Sequence, residues 1–272
     1  MKIIPYNATV TKINLITPDL MILNVKSDEP RIKSSESIFN YIGLGLHVNE
    51  ERSENSSFPL RPLAKICKYD DYLIKRPYSI VKMNNNNKNF EFYINQIKSG
   101  QLSPRLFNLK QESRLWIDNE ILNIFSLEQI PENYNIVLIA TGTAIAAYIS
   151  FLHTYLQNNK ETKIALIHGA AYPWDLGYFS ELRFVENNHD NFYYIPTVLQ
   201  PDNSWNGLKG YIEQHLENKI LENQTGIEIN PEKTFFLLCG NPYMVKAVSD
   251  FLSKYHYTKH NIKKPGYLHL EN

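Results

Sequence analysis

Apolar and polar residues alternate with a period of two along residues 8–13 and 21–25. Residues 42–48, 90–94 and 114–117 are further short segments rich in β-branched and aromatic side chains. Turn-rich breaks separate them, and this spacing predicts an antiparallel barrel or sandwich over the first 125 or so residues. The four asparagines 84–87 read as a solvated hairpin loop. Residues 49–74 form a long connection of mixed polarity, either an elaborated surface loop or a lid.

The pattern changes near residue 130. Residues 135–140 are continuously apolar, as suits a strand covered on both faces. A helical pattern follows over 143–156. The cycle repeats as strand 163–168 and helix 175–186, strand 192–199 and helix 210–220, and strand 234–239 and helix 242–255. Strands alternating with helices predict a parallel sheet with right-handed crossovers. Such sheets take ligands beyond the carboxyl ends of their strands. That directs attention to Thr141-Gly142-Thr143, Gly169-Ala170-Ala171, Leu199-Gln200-Pro201 and Gly240-Asn241-Pro242. The domain border is expected at residues 128–131, giving domains 1–129 and 130–272.

Composition narrows the classes. The chain has 272 residues, 43% hydrophobic and 21% charged, which suits folded domains rather than disorder. Lys+Arg and Asp+Glu balance at 28 each, so overall charge points to no polyanionic partner such as nucleic acid. The two cysteines, Cys67 and Cys239, are far apart and lack metal-ligand spacing. A metal site is not expected, and a reducing cytoplasm is. No signal peptide or membrane span is expected.

Four stretches carry candidate chemistry. Arg76-Pro77-Tyr78-Ser79 combines a guanidinium, a ring and a hydroxyl. A guanidinium matches phosphate oxygens as a fork, and in a strand Arg76 and Tyr78 share a face, with Ser79 on the other. This suits the edge of a flavin site; an edge strand with an ordinary surface arginine is the alternative. Ser99-Gly100-Gln101-Leu102-Ser103-Pro104 leads into a helix start, with Ser103 as N-cap and Pro104 at the first helical position. The same free amides suit a pyrophosphate. Ala140-Thr141-Gly142-Thr143 sits at a strand-to-helix junction, where a nucleotide approaches or a tight turn simply packs. In Cys239-Gly240-Asn241-Pro242, Gly240 permits close approach of the backbone, and Cys239 either borders a nicotinamide or is a buried core thiol.

Taken in order, these stretches resemble the bacterial ferredoxin–NADP reductase family, particularly its gammaproteobacterial type. Arg76-Pro77-Tyr78-Ser79 is similar to its R-x-Y-S flavin motif. Phe92-Tyr93-Ile94 with Gly100-Gln101-Leu102-Ser103 resembles its second flavin segment. Ala140-Thr141-Gly142-Thr143 and Leu238-Cys239-Gly240-Asn241-Pro242 resemble its nucleotide turns. Thr258-Lys259-His260 and Lys264-Pro265-Gly266 continue the likeness.

The resemblance implies an antiparallel Greek-key barrel holding FAD, followed by an α/β domain with a five-stranded parallel sheet for NADPH or NADH. It implies hydride transfer to FAD and single electrons leaving to ferredoxin or flavodoxin. Arg76, Pro77, Tyr78, Ser79, Tyr93, Ile94, Asn95, Gln96, Gln101, Leu102 and Ser103 are the implied FAD contacts. Gly142, Thr143, Ala170, Ala171, Gln200, Asn241, Pro242 and Tyr243 are the implied contacts from the second domain. Tyr78, Ser79, Cys239 and Glu271 are the residues expected beside the reacting rings. The implied partner is acidic and transient, met by a basic rim of Lys75, Lys82, Lys259, His260, Lys263 and Lys264. The chain itself is expected to be a monomer.

Three departures from the family pattern stand out. Where its NADPH-specific members carry arginines for the 2′-phosphate, this chain has Ala171, Pro201 and Tyr211, with Lys209 nearby. That implies poor discrimination for NADPH or a preference for NADH. The sequence ends at Glu271-Asn272, where the family usually continues to an aromatic that covers the flavin; the chain is clipped or lacks that gate. The 49–74 connection is longer than expected and leads into Arg76. Two other functions fit the same features: an NADH-dependent diaphorase or flavin reductase, and a degenerate paralogue that binds flavin without catalysis.

Overall fold

The structure is a computed structural model that describes residues 6–33, 39–57, 72–123, 125, 127–158, 161–260 and 266–270. The chain divides into two units, Met1–Phe125 and Ser126–Asn272.

In the first unit the alternating segments become β1 (Ala8–Thr17), β2 (Leu20–Ser27), β4 (Asn40–His47), β5 (Leu73–Met83), β6 (Asn89–Asn95) and β7 (Arg114–Ile117). Short strands β3 (Ile32–Lys33) and β8 (Glu120–Asn123) pair beside β4. The main order is β4-β5-β6-β2-β1-β7, and a further β4–β7 pairing closes it into a six-stranded antiparallel barrel. Because β2 pairs with β6 rather than with the next strand, the order is Greek-key and not a simple meander. β5 pairs with β4 over Leu73–Ser79 and with β6 only from Ile80 on, so at Arg76 the strand is paired on its β4 side. Ile42, Leu44, Ile80, Phe92, Leu115 and Ile117 fill the interior, each at most 1% exposed.

The 84–87 loop joins β5 to β6, and Asn84 Oδ1 accepts from the backbone N–H of Lys88 and Asn89 at 3.0 Å each. The helix expected after Gly100 is one turn, α1 (Ser103–Leu106). Its cap is Leu102, without a side-chain cap bond, and not Ser103 as expected. The hydroxyl of Ser103 instead accepts from Ile97 N at 2.9 Å.

The second unit is built on β9 (Asn135–Thr141), β10 (Ile164–Ala170), β11 (Phe192–Val198), β13 (Thr234–Cys239) and β14 (Tyr267–Leu270). They form a parallel sheet in the order β11-β10-β9-β13-β14, and the two-residue β12 (Leu208–Lys209) adds to the β11 edge. Residues 136–140 and 234–239 are fully buried, as their continuous apolar character requires.

Helix α2 (Ile145–Asn158) follows a 3₁₀ turn over Gly142–Ala144, and α6 (Pro242–Ser253) follows β13. The other two helical expectations shift. α3 (Phe179–Asn188) begins four residues later than expected, because Tyr178 takes φ 59° at its start. The 210–220 helix is split into α4 (Ile212–Glu217) and α5 (Ile220–Thr225), with Lys219 at φ 56° between them. Left-handed residues of this kind cannot continue a right-handed helix. No helix among the described residues is long and apolar enough to cross a membrane.

Candidate functional site

On β5, Arg76 lies opposite Leu44, Tyr78 opposite Ile42 and Ser79 opposite Tyr41. Directly paired residues project to the same side of a sheet, so Arg76 and Tyr78 share the side of two core residues. Tyr78 packs its ring against the barrel core and is half-buried. Burial pushes its phenol above the usual range, and the nearby Arg76 pulls it the other way, so the ring is neutral. Arg76 makes one described hydrogen bond, from Nη1 to the carbonyl of Lys75 at 2.6 Å. That leaves most of a five-donor fork open. The register between β5 and β6 shifts between Ile80 and Lys82, directly after the motif. Such a bulge re-aims side chains at a site without breaking the ladder before it.

Next to this strand, the start of the long connection is tied to the β6–α1 loop. Gln96 Nε2 donates to Ser53 Oγ, Ser53 N donates to Pro104 O at 2.9 Å, and Arg52 Nη2 donates to Lys98 O at 2.7 Å. Arg105 Nη1 donates to Gln101 O at 2.6 Å and Nη2 to Val48 O. Residues 49–57 are therefore anchored and not a free flap; 58–71 lie outside the described residues. Among the implied FAD contacts, Ile94 and Leu102 have their side chains in the barrel core, and Tyr93 and Gln96 are buried. Asn95 is exposed, and the buried Gln96 Oε1 has no partner among the described residues. A buried amide oxygen left over is a group that a ligand or water normally satisfies.

On the second unit, Gly142, Thr143, Asn241, Pro242 and Tyr243 lie at the carboxyl ends of β9 and β13, whereas Ala170, Ala171 and Gln200 lie at the ends of β10 and β11. Asn241 N donates to Thr141 Oγ1 at 2.8 Å, and Asn241 Oδ1 accepts from Tyr243 N at 2.9 Å to cap α6. With its hydroxyl so engaged, Thr141 does not cap the turn that opens α2. The first amides of that turn keep their N–H groups for another acceptor. Gly142 sits there at φ 57°, with nothing within 4 Å of where a Cβ would be. Thr143 is half-buried, Pro242 occupies the first turn of α6, and Tyr243 is 86% exposed. Cys239 is buried. Behind it Tyr148 is fully buried, and burial raises its phenol well above the usual range, with Cys239 adding to the shift.

His168, on β10, escaped the sequence reading. It is fully buried, and its Nδ1 lies 3.1 Å from Tyr194 Oη. Burial lowers its pKa to about 4, with the Gly142 backbone opposing. No sequence signal marked it, since a histidine within an apolar strand reads as packing.

The basic rim is thinner than expected. Lys75 pairs with Asp118 at 2.8 Å, and Lys82 lies 4.0 Å from Glu91. His260 stacks edge-on against Phe235 at 5.0 Å and is kept neutral by burial. Lys263, Lys264 and Glu271 lie outside the described residues. No cluster of metal-ligating side chains occurs among the described residues.

A model of the oxidoreductase NAD-binding domain matches residues 138–250. A flavodoxin/ferredoxin–NADP reductase of Buchnera aphidicola (Schizaphis graminum) is 36% identical over 200 residues, 73% of this chain and 77% of that one. The protein of the same name from Escherichia coli K12 is 32% identical over 177 residues, 65% of this chain and 71% of that one. Among solved structures, a ferredoxin NADP+ reductase from Neisseria gonorrhoeae with bound FAD and NADP has the same fold, with a TM-score of 0.79 at 22% identity and 97% of each chain covered. With more than two thirds of a relative covered at over 30% identity, the chain belongs to the flavodoxin/ferredoxin–NADP reductase family.

Proposed function

We propose that this chain is a flavoprotein reductase that binds FAD on the barrel unit and a nicotinamide nucleotide on the α/β unit. The observation that carries the reading is the line of open groups on β5. The guanidinium of Arg76 is largely unspent, the ring of Tyr78 is partly exposed, and the Ser79 hydroxyl makes no described hydrogen bond. These residues fit the flavin: a fork for pyrophosphate, a ring face for stacking and a hydroxyl for a polar edge. The unpaired Gln96 oxygen, just past β6, adds an acceptor. The chemistry a bound flavin supplies is acceptance of a hydride and release of single electrons.

The protein's part is positional. Arg76 neutralises pyrophosphate, Tyr78 fixes the ring plane from a rigid strand, and the uncapped amides at Gly142 and Thr143 offer donors to a nucleotide phosphate. Cys239 stays a buried thiol at the carboxyl end of β13. No general acid–base pair is required.

The acceptor in this reading is a transient, acidic ferredoxin or flavodoxin, the two proteins in the names of the relatives. The compartment is the cytoplasm and the chain a monomer; the two cysteines, far apart in sequence, fit reducing conditions.

Flavin absorbance of the purified protein, followed anaerobically as NADH or NADPH is added, is the test. Bleaching and reoxidation by ferredoxin or flavodoxin is the expected result. A protein that retains no FAD even when it is supplied would sink the reading. Bleaching with electrons passed to free flavins or dyes, but not to either protein, would select the diaphorase alternative.

A further inference from the structure

Three stretches converge at the carboxyl ends of β10 and β11. Leu199 N donates to Ala170 O at 3.1 Å, Gln200 N to Ala171 O at 2.8 Å, and Gly210 N to Val198 O at 3.0 Å. These bonds draw the loops after both strands and the approach to α4 onto one rim. The rim is aromatic and open. Trp174 is 51% exposed and Tyr211 55% exposed. Tyr172 and Trp174 stack with ring centroids 4.7 Å apart and planes 7° from parallel. Trp205, by contrast, is spent on the fold: its Nε1 donates to Leu208 O at 2.9 Å and its ring meets Phe179. A stacked pair with an open face is a preformed platform, since each ring already fixes the other.

The charge on this rim is one-sided. Residues 171–175 and 199–213 contain Asp175, Asp202 and Glu213 against Lys209 alone. Asp202 accepts from Ser204 N at 2.9 Å and Ser204 Oγ at 2.7 Å, which holds it ionised. The two imidazoles beneath, His168 and His215, are kept neutral by burial.

We infer that this rim selects NADH over NADPH, seating adenine on the Tyr172–Trp174 platform and offering a 2′-phosphate a single ammonium, Lys209, among three carboxylates. The inference rests on the reductase reading and refines its substrate. A purine offers a flat π face to an exposed indole. A 2′-phosphate brings close to two negative charges and needs charge-assisted donors to offset its desolvation. Here it meets three carboxylates and one ammonium, whereas a bare 2′-hydroxyl is a donor that carboxylates accept.

Calorimetric titration of the FAD-loaded protein with ADP-ribose and with its 2′-phosphorylated form tests this. ADP-ribose is expected to bind about tenfold tighter or more. Trp174→Ala is expected to weaken ADP-ribose about tenfold, Trp174→Phe to recover most of that, and Ala171→Arg to bring the two affinities together. The inference is overturned by equal or tighter binding of the 2′-phosphorylated ligand, or by unchanged ADP-ribose affinity in Trp174→Ala. Flavin bleaching separates the two ideas. If NADPH bleaches the flavin as readily as NADH, the preference fails while the reductase reading stands. If ADP-ribose is preferred but neither nucleotide bleaches the flavin, the reductase reading is what fails.

Discussion

The backbone N–H of Asn241 reaches Thr141 Oγ1 at 2.8 Å across a hundred residues of chain, tying the turn after β13 to the turn after β9. The intervening Gly240 has φ 125°, and a Cβ there would stand 2.2 Å from that same oxygen and 2.9 Å from the Thr141 backbone. The hydroxyl can swing aside, but the backbone cannot. Gly240→Ala is therefore expected to cost about 2–3 kcal/mol through left-handed strain and displaced backbone, seen as a lowered denaturation midpoint with an unchanged slope. Thr141→Val, which removes only the acceptor, is expected to cost about 1 kcal/mol. A Gly240→Ala protein as stable as the parent would show that this approach is not a constraint.

His168 makes stability depend on pH in a definite direction. Its ordinary pKa is 6.5 and burial lowers it to about 4 in the fold. The unfolded chain thus binds a proton between these values that the folded chain refuses. The contribution is present in full above pH 6.5, is lost as pH falls toward about 4, and is constant below. The span corresponds to something on the order of 3 kcal/mol. NMR titration of the imidazole isolates it from carboxylates that also titrate. Resonances unmoved until the pH nears 4 are expected, and a midpoint near 6.5 would refute the assignment.

Tyr78 separates packing from ring chemistry. Its ring packs on the barrel core, and its hydroxyl has no described partner. Tyr78→Phe should leave stability within about 0.5 kcal/mol and retain flavin. Tyr78→Ala should lose about 2–4 kcal/mol of packing and release flavin as well. Ultrafiltration followed by flavin absorbance reads this out. Release by the Phe variant would mean that the hydroxyl, and not the ring face, holds the ligand.

Much of this was legible in the sequence because burial writes itself as periodicity. The two-sided burial of β9 and β13 is spelled out in their unbroken apolar runs, and the four asparagines marked the β5–β6 hairpin. The motif at Arg76 stood out because a guanidinium, a ring and a hydroxyl fall within four residues. What stayed hidden was set by partners remote in sequence. Barrel closure through Leu44↔Ile117 and Gly45↔Trp116 joins segments some seventy residues apart, with no local signature. Ser103 looked like a cap, but its hydroxyl went to Ile97 N. Tyr178 and Lys219 adopt left-handed backbone that neither residue type advertises. Lys75 and His260 read as surface charge until Asp118 and Phe235 were found beside them.

Arg105 is the residue on which the anchoring of the 49–57 segment turns. It is 8% exposed, and its guanidinium donates to Gln101 O and Val48 O, one from each segment it joins. Burial lowers its pKa, with Arg52 acting in the same direction and Glu50 opposing, yet a guanidinium stays charged throughout the working range. Removing it strands two carbonyls that have few alternatives, and a buried acceptor left unpaired costs about 1–3 kcal/mol. Arg105→Ala is expected to lose roughly 2–4 kcal/mol, combining that penalty with lost packing. Arg105→Lys should recover only part, since one ammonium cannot span both carbonyls in the planar fork geometry. Because Ser53 N–H to Pro104 O and the Gln96–Ser53 contact depend on the same docking, the loss should appear locally first. Limited proteolysis under native conditions should cut the Ala variant within 49–57 well before global unfolding. Equal resistance in parent and variant would show that the neighbouring bonds hold the segment without Arg105.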